Sequence, residues 1–329
     1  MVDILILSRR EAEQVFTMRD ALEAVEAVYR AQGERKVINP MATSFVVPGY
    51  NGEVDIKSAY IEPMNCSGLK FAGGYWDNPV KYGLPSVIGV ILLADGSNGM
   101  PLAILDGTHI GGYRTGAAGG VGAKFLARKE SENVAIIGTG NQGRLQLMAL
   151  LENFDIQKVY AYDKDRARRT AYADEMTQRT GVDVVSVDVP REAVIQADVV
   201  VTATPATEAI VFDDWVRPGT HINAIGADMP GKQELDPVIF KRAKAVVDLR
   251  EQCIEIGEIQ NPIRVGVITE ADIYAEIGEI VAGKKKGRLE DNEVTVFDST
   301  GLGIQDVGAA YRAYTNAKNR NIGKKIEFF

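Results

Sequence analysis

One stretch constrains this chain more than any other: Val134–Gly143, which reads VAIIGTGNQG. An apolar run leads into Gly138, Gly140 and Gly143 in GxGxxG spacing. A segment of helical character follows, then a second apolar run (Val159–Tyr162) and an acid, Asp163. A glycine triplet alone says little, but in this order it is the fingerprint of a strand–turn–helix–strand unit that binds a dinucleotide. Gly138 permits the tight turn, Gly140 lets backbone approach the pyrophosphate, and Gly143 lets the helix pack on the strand. The N–H groups of Asn141, Gln142 and Gly143, at the helix start, would face the phosphates. A carboxylate at Asp163 accepts hydrogen bonds from the ribose hydroxyls and repels a 2′-phosphate, which favours NAD over NADP. Two alternatives stay open. Asp163 could cap the helix that starts near Asp165, and Lys164 and Arg166 beside it would tolerate a phosphate.

Because the fingerprint starts only near residue 133, the preceding segment must form a domain of its own. It reads as a short strand (Ile4–Leu7) and an amphipathic helix (Met18–Gln32). Strand-like runs at Thr43–Val47, Val54–Ile61, Leu69–Gly73, Val87–Ala94 and Pro101–Leu105 come next. This predicts an α+β domain with a largely antiparallel sheet. Arg114–Arg128 (RTGAAGGVGAKFLAR) reads as a helix whose small residues pack closely on something. After it, strands and helices alternate, ending in strands at Thr220–Ile225, Ala245–Asp248 and Val294–Asp298. Such alternation predicts a doubly wound parallel sheet of Rossmann type, covered on both faces. The tail Gln305–Lys318 is helical and returns to the first domain. The expected division is therefore 1–114 with 306–329, and 115–305.

The bulk numbers exclude some classes. Lys and Arg number 37 against 45 Asp and Glu, a net charge of −8, which argues against a nucleic-acid binder. No window approaches eighteen uninterrupted apolar residues, so no membrane span is expected. The start, MVDILILSRREAE, lacks a basic leader with a long apolar core, so no signal peptide is expected, and the compartment is read as cytoplasmic. Cys66 and Cys253 stand in no metal-ligand spacing and read as idle thiols. His109 and His221, the two histidines, have no ligand partner at metal spacing, so no metal is expected.

Five segments resemble the ornithine cyclodeaminase/μ-crystallin family, which includes alanine dehydrogenase and imine reductase branches. They are GLKFAGG (Gly68–Gly74), YRTGAA (Tyr113–Ala118), IIGTGNQG (Ile136–Gly143), HINAIGADMPGKQELD (His221–Asp236) and FDSTGLGIQDV (Phe297–Val307). The resemblance implies a substrate-binding and dimerisation domain beside the Rossmann domain, a homodimer, and a small amino or imino acid as substrate. It implies a catalytic, substrate-binding role for Lys70. Burial and a neighbouring arginine would lower its pKa toward the range useful for proton transfer to an imine or amine nitrogen, and an ammonium there could equally bind a carboxylate. Without the family, Lys70 would read as a snorkelling surface lysine. Arg114 would clamp a substrate carboxylate; on the residues alone, an ion pair at a domain joint is the alternative. Asp228, at the carboxyl end of a parallel strand, would be the second acid/base, and a helix cap before Pro230 is its alternative. Ser86 matches a hydroxyl position near the nicotinamide. Thr204, Gly301 and Leu302 would line the cofactor.

One position departs from the family. Many members carry an arginine in a Pro-x-Arg context where this chain has Pro40-Met41-Ala42. Lys57, on the neighbouring strand, would reach the same space. The expected activity is hydride transfer between NAD and the α-carbon of an amino or imino acid. The alternatives are a cyclodeaminase lyase that recycles its NAD, and a non-catalytic nucleotide-dependent binding protein of the crystallin type.

Overall fold

A computed structural model describes residues 3–328. The chain forms two compact units, Met1–Arg114 with Leu302–Phe329, and Thr115–Gly301. The second crossing falls at Leu302 rather than at 306, because the last long helix begins directly after that residue.

The first unit opens with β1 (Asp3–Leu7), α1 (Arg9–Val15) and α2 (Met18–Gly33). Helix α2 starts where the sequence allows it to be capped. The Thr17 hydroxyl accepts the Asp20 N–H at 3.2 Å, and the Asp20 carboxylate accepts the Thr17 N–H at 3.0 Å. Ala21, Ala24, Val25 and Val28 then form its buried stripe. The strands β2 (Val37–Ile38), β3 (Thr43–Val47), β4 (Gly52–Ile61) and β5 (Cys66–Tyr75) come next. After α3 (Asn78–Lys81), β6 (Val87–Asp95) and β7 (Pro101–Asp106) complete the run.

Helix α4 spans Gly107–Leu126, so it starts well before the expected Arg114. Its first turn is held by the Asp106 carboxylate, which accepts the His109 N–H at 2.7 Å. The glycines at 107, 111 and 112 do not stop it, because tertiary contact overrides their poor helix propensity. A Cβ at Gly107, for instance, would lie 2.7 Å from the Gly89 backbone.

The second unit contains β8 (Asn133–Ile137), α5 (Asn141–Leu151), β9 (Lys158–Tyr162), α6 (Arg166–Thr180), β10 (Asp183–Ser186), α7 (Pro190–Val194) and β11 (Val199–Thr202). Then come β12 (Thr207–Val211), β13 (His221–Ala224), β14 (Gln233–Leu235), β15 (Ala243–Val247), α8 (Arg250–Ile256) and α9 (Gln260–Arg264). The unit ends with β16 (Ile273–Glu276), α10 (Ile277–Val281) and β17 (Val294–Asp298). Its main sheet runs β10-β9-β8-β11-β13-β17-β15-β16, parallel throughout. Chain direction across the sheet reverses at β8 and β11, the switch point where ligands bind in such sheets. Every residue of β11, β13 and β17 is buried, as strands covered on both faces require. The edge strand β16 and the small parallel pair β12–β14 go beyond the sequence reading; at three to five residues each they carry little periodicity.

Small residues let the second half of α4 lie close on this unit. A Cβ on Gly116 would sit 2.7 Å from the Leu145 carbonyl oxygen, and one on Gly122 would sit 2.3 Å from the Phe297 ring.

The chain then returns to the first unit through α11 (Gly303–Arg320) and β18 (Lys324–Glu327). There the sheet order is β18-β1-β7-β6-β5-β4-β2, with β3 also on β4. All pairs are antiparallel except β1 with β7. Helix α11 packs on α2 and across β4, β5 and β6. Beyond that packing, Phe71, Val87, Ile88 and Val90 remain exposed on β5 and β6. No helix among the described residues is long and apolar enough to cross a membrane.

The close α4–α5 contact predicts that Gly116→Val lowers stability by about 1–3 kcal/mol through overpacking. Urea unfolding measures this; an unchanged midpoint would mean that the helices can separate without cost.

Candidate active site

In the first unit, strand alternation and helix phase bring four charged side chains together. Lys57 on β4 and Lys70 on β5 are directly paired across the antiparallel ladder, so both side chains point to the same face. That face is the one α11 covers. Asp306 lies in the first turn of α11, where the helix N-terminus favours a carboxylate. Its Oδ1 accepts Lys70 Nζ at 3.0 Å and Arg114 Nε at 2.8 Å, and its Oδ2 lies 2.9 Å from Lys70 Nζ. Arg114 comes from the middle of α4, and its Nη1 donates to Gln305 Oε1 at 2.6 Å. Gln305 Nε2 in turn donates to the Tyr29 hydroxyl at 2.6 Å. Two glycines permit this approach. A Cβ on Gly303 would lie 2.3 Å from the Ser58 carbonyl oxygen, and one on Gly68 would lie 2.5 Å from that of Leu92.

All four charges are buried, Lys57 at 8%, Lys70 at 7% and Arg114 at 5% exposure, with Asp306 fully enclosed. Burial, followed by the charge of Arg114, pulls the Lys70 ammonium down to about 7; Asp306 opposes the shift and Lys57 adds to it. Burial alone would raise the Asp306 carboxyl, but Arg114, Lys70 and Lys57 together outweigh it, and its pKa is lowered. Asp306 escaped the sequence reading, although it is the acid of GIQD in the quoted segment Phe297–Val307. Nothing in the local pattern tells that a first-turn acid faces a lysine on a distant strand.

Other expected residues of this unit lie elsewhere. Ser86 precedes β6, and its carbonyl accepts the Tyr75 N–H at 2.7 Å. Ala42 precedes β3. Leu302 caps α11, its N–H donating to Gln305 Oε1 at 3.2 Å.

In the second unit the glycine turn lies between β8 and α5. Gly138 has φ +102°, and a Cβ there would meet the Ala203 carbonyl oxygen at 2.5 Å. A Cβ on Gly143 would meet the Gly138 carbonyl oxygen at 2.3 Å, whereas one on Gly140 would meet only open space. Helix α5 begins at Asn141, and the buried Oε1 of Gln142 has no hydrogen-bond partner. Asp163 is joined to this turn, because its Oδ2 accepts the Thr139 N–H at 3.1 Å and the Thr139 hydroxyl at 3.0 Å. The cap of α6 is instead Asp165, which accepts from Ala167 and Arg168. Arg144 Nη1 donates to the carbonyls of Thr139 and Gly140 at 2.5 and 3.1 Å, and its guanidinium also bonds Glu175. The Tyr172 hydroxyl donates to the Gly143 carbonyl at 3.0 Å. Lys164 and Arg166 are exposed.

Thr204 follows β11 and Asp228 follows β13. Asp228 is exposed and paired with Lys232. Gly301 has φ +81°, and its N–H donates to Asp248 Oδ2 at 2.8 Å. His221 is buried between Thr295 and Asn223 at 2.9 Å each, and burial pushes its pKa down to about 3. Among the described residues no group of three His, Cys, Asp or Glu could hold a metal ion.

Comparison with known proteins agrees with this architecture. The ornithine cyclodeaminase/mu-crystallin family profile matches residues 2–321, and the chain belongs to that family. It is 43% identical to the alanine dehydrogenase of Archaeoglobus fulgidus over 331 residues, covering 100% of this chain and 99% of that one. Its fold matches an archaeal alanine dehydrogenase dimer with bound NAD at TM-score 0.94 and 43% identity, over 100% of both chains. The Delta(1)-pyrroline-2-carboxylate reductase of Thermococcus litoralis, in complex with NADH and L-proline, also matches at TM-score 0.94. There the identity is 38%, over 98% of this chain and 100% of that one.

The buried charge cluster sets two expectations. Asp306→Asn leaves Lys70 and Arg114 without their carboxylate and lowers stability by about 3–5 kcal/mol, read by chemical denaturation at neutral pH. Lys70 titrates near 7 in the fold and near its ordinary 10.5 when unfolded, so the unfolded chain holds the extra proton between those values. Stability therefore gains from this group as pH rises through that window. Lys70→Met should flatten the rise; an unaltered pH–stability curve would contradict the assignment.

Proposed function

We propose that this chain is an NAD-dependent oxidoreductase acting at the α-carbon of a small amino or imino acid, as an alanine dehydrogenase or an imine reductase does. The observation that carries the reading is the buried cluster of Lys57, Lys70 and Arg114 around Asp306. Three basic side chains converge on this corner of the unit, and a carboxylate entering beside them meets cations on more than one side. The carboxylate of an amino or imino acid supplies one negative charge and, at Arg114, a planar partner for the guanidinium.

The second unit fits a dinucleotide. The space beside Gly140 and the N–H groups of Asn141 to Gly143 suit a pyrophosphate, and Asp163 suits ribose hydroxyls. Ser86, Thr204, Gly301 and Leu302 are the proposed contacts to the rest of the cofactor. When bound, NAD accepts a hydride from the substrate's α-carbon and NADH returns one.

Arg114 and Lys57 bind and orient the carboxylate. Lys70, poised near neutrality, gives or takes the proton at the substrate nitrogen. Asp306 holds Lys70 and Arg114 in register and stays ionised. Asp228 is the proposed second proton carrier, released from Lys232 as substrate enters. The exposed face with Phe71, Ile88 and Val90 is the proposed contact with a second copy.

Turnover should be found in a 340 nm screen of NADH with ammonium and 2-oxo acids or with cyclic imines, and of NAD with amino acids. The reaction should change NADH stoichiometrically with product. Ammonia release from ornithine or lysine without net NADH would contradict it in favour of a cyclodeaminase. With the identified substrate, Lys70→Met should cost about 10²–10⁴-fold in kcat, and near-normal turnover would refute the role. Phe71→Glu should convert a dimer to a monomer by light scattering; an unaltered mass would place the contact elsewhere.

A further inference from the structure

Glu234 is fully buried in the second unit and takes no part in the chemistry above. Both of its oxygens are committed to backbone. Oε1 accepts the Thr204 N–H at 2.6 Å and Oε2 accepts the Gly226 N–H at 2.9 Å. One carboxylate thus spans the loops that leave β11 and β13 at the carboxyl edge of the sheet. The loops meet around it: a Cβ on Gly226 would lie 2.4 Å both from Glu234 Oε2 and from the Thr204 carbonyl oxygen. The loop after β11 in turn lies against the nucleotide turn, since a Cβ on Gly138 would be 2.5 Å from the Ala203 carbonyl oxygen and 2.8 Å from Thr204 Cγ2.

Glu234 is itself anchored. Its N–H donates to Glu258 Oε1 at 2.9 Å and Oε2 at 3.1 Å, and the Leu235 N–H donates to Glu258 Oε1 at 2.7 Å. The Ile259 N–H donates to Asp298 Oδ2 at 3.0 Å, at the end of β17. A relay of buried carboxylates, each accepting backbone N–H groups, therefore links the ends of β17, β13 and β11. Retaining buried acids is costly, and burial pushes the Glu234 carboxyl up to about 7.

We infer that Glu234 is a positioning residue for the dinucleotide: by suspending the Thr204 loop over Gly138 and tying it to the Gly226 loop, it holds the cofactor cradle in its binding geometry. The inference rests on the nucleotide reading above. Glu234→Gln is the informative change, because its NH₂ group must face one of the two N–H donors and release that loop. The test is NADH affinity, titrated by fluorescence without substrate, on wild type, Glu234→Gln and Ile273→Ala. The last removes a buried side chain from the edge strand β16, far along the sheet order from β8 and β11, and serves as a destabilised control.

Glu234→Gln should bind NADH at least tenfold more weakly while keeping a cooperative unfolding transition. Ile273→Ala should lower the unfolding midpoint yet bind within twofold of wild type. Equal binding by Glu234→Gln and wild type, or equal losses in both variants, overturns the inference. A wild type that binds neither NADH nor NADPH overturns the nucleotide reading and this inference with it. Should Glu234→Gln not fold, hydrogen exchange on the nucleotide-free wild type decides. The Thr204 and Gly226 amides should be protected before nucleotide is added, and rapid exchange of both overturns the inference.

Discussion

The first unit is organised around the Asp306 carboxylate. Sheet and helices there enclose three basic side chains, and a buried cation is tolerated only where something answers its charge. Asp306 answers Lys70 and Arg114 together, from the first turn of α11, where the N–H groups also favour an acid. The surroundings follow from that demand. Gly303 and Gly68 let α11 come down on β4 and β5, and Gln305 fixes the far side of the Arg114 guanidinium. The carboxylate of the proposed substrate would join Asp306 in answering these cations.

Buried acids do a different job in the second unit. Asp248 accepts the Gly301 N–H and the hydroxyls of Ser299 and Thr300, while Glu234 and Glu258 hold backbone N–H groups of the neighbouring loops. Loops at the carboxyl edge of a parallel sheet have lost their ladder partners, and buried N–H groups there must be satisfied by something. Carboxylates satisfy two or three at once and fix the angle between loops. The same edge therefore combines rigid supports with the open space beside Gly140.

Much of this was legible in the sequence because it is periodic or local. The glycine turn, the acid after the second strand and the alternating segments name a doubly wound sheet, and the hairpin-like runs before them name an antiparallel one. Lys70 and Arg114 were singled out through the family segments, not through their surroundings; Asp228 was singled out in the same way, and it is exposed and paired with Lys232. What stayed hidden depends on distant packing. Asp306 lies 236 positions from Lys70, and a first-turn acid looks the same whether it caps a helix or balances a lysine. Glu234 lay inside a quoted segment, yet its meaning depends on two loops brought together by the sheet. The true start of α4 was missed because glycines that break isolated helices are tolerated in a helix held by its neighbours.

The central claim is that burial and the charge of Arg114 outweigh Asp306 and bring Lys70 down to about 7, and that a substrate carboxylate would raise it again. The most direct measurement is NMR titration of Lys70 in protein labelled at lysine side chains, assigned with Lys70→Arg, free and saturated with NADH and a non-reacting carboxylate such as pyrrole-2-carboxylate. The account predicts a free-state midpoint close to pH 7 that rises by a unit or more when the carboxylate enters. A lysine that titrates above pH 10 in both states would contradict it.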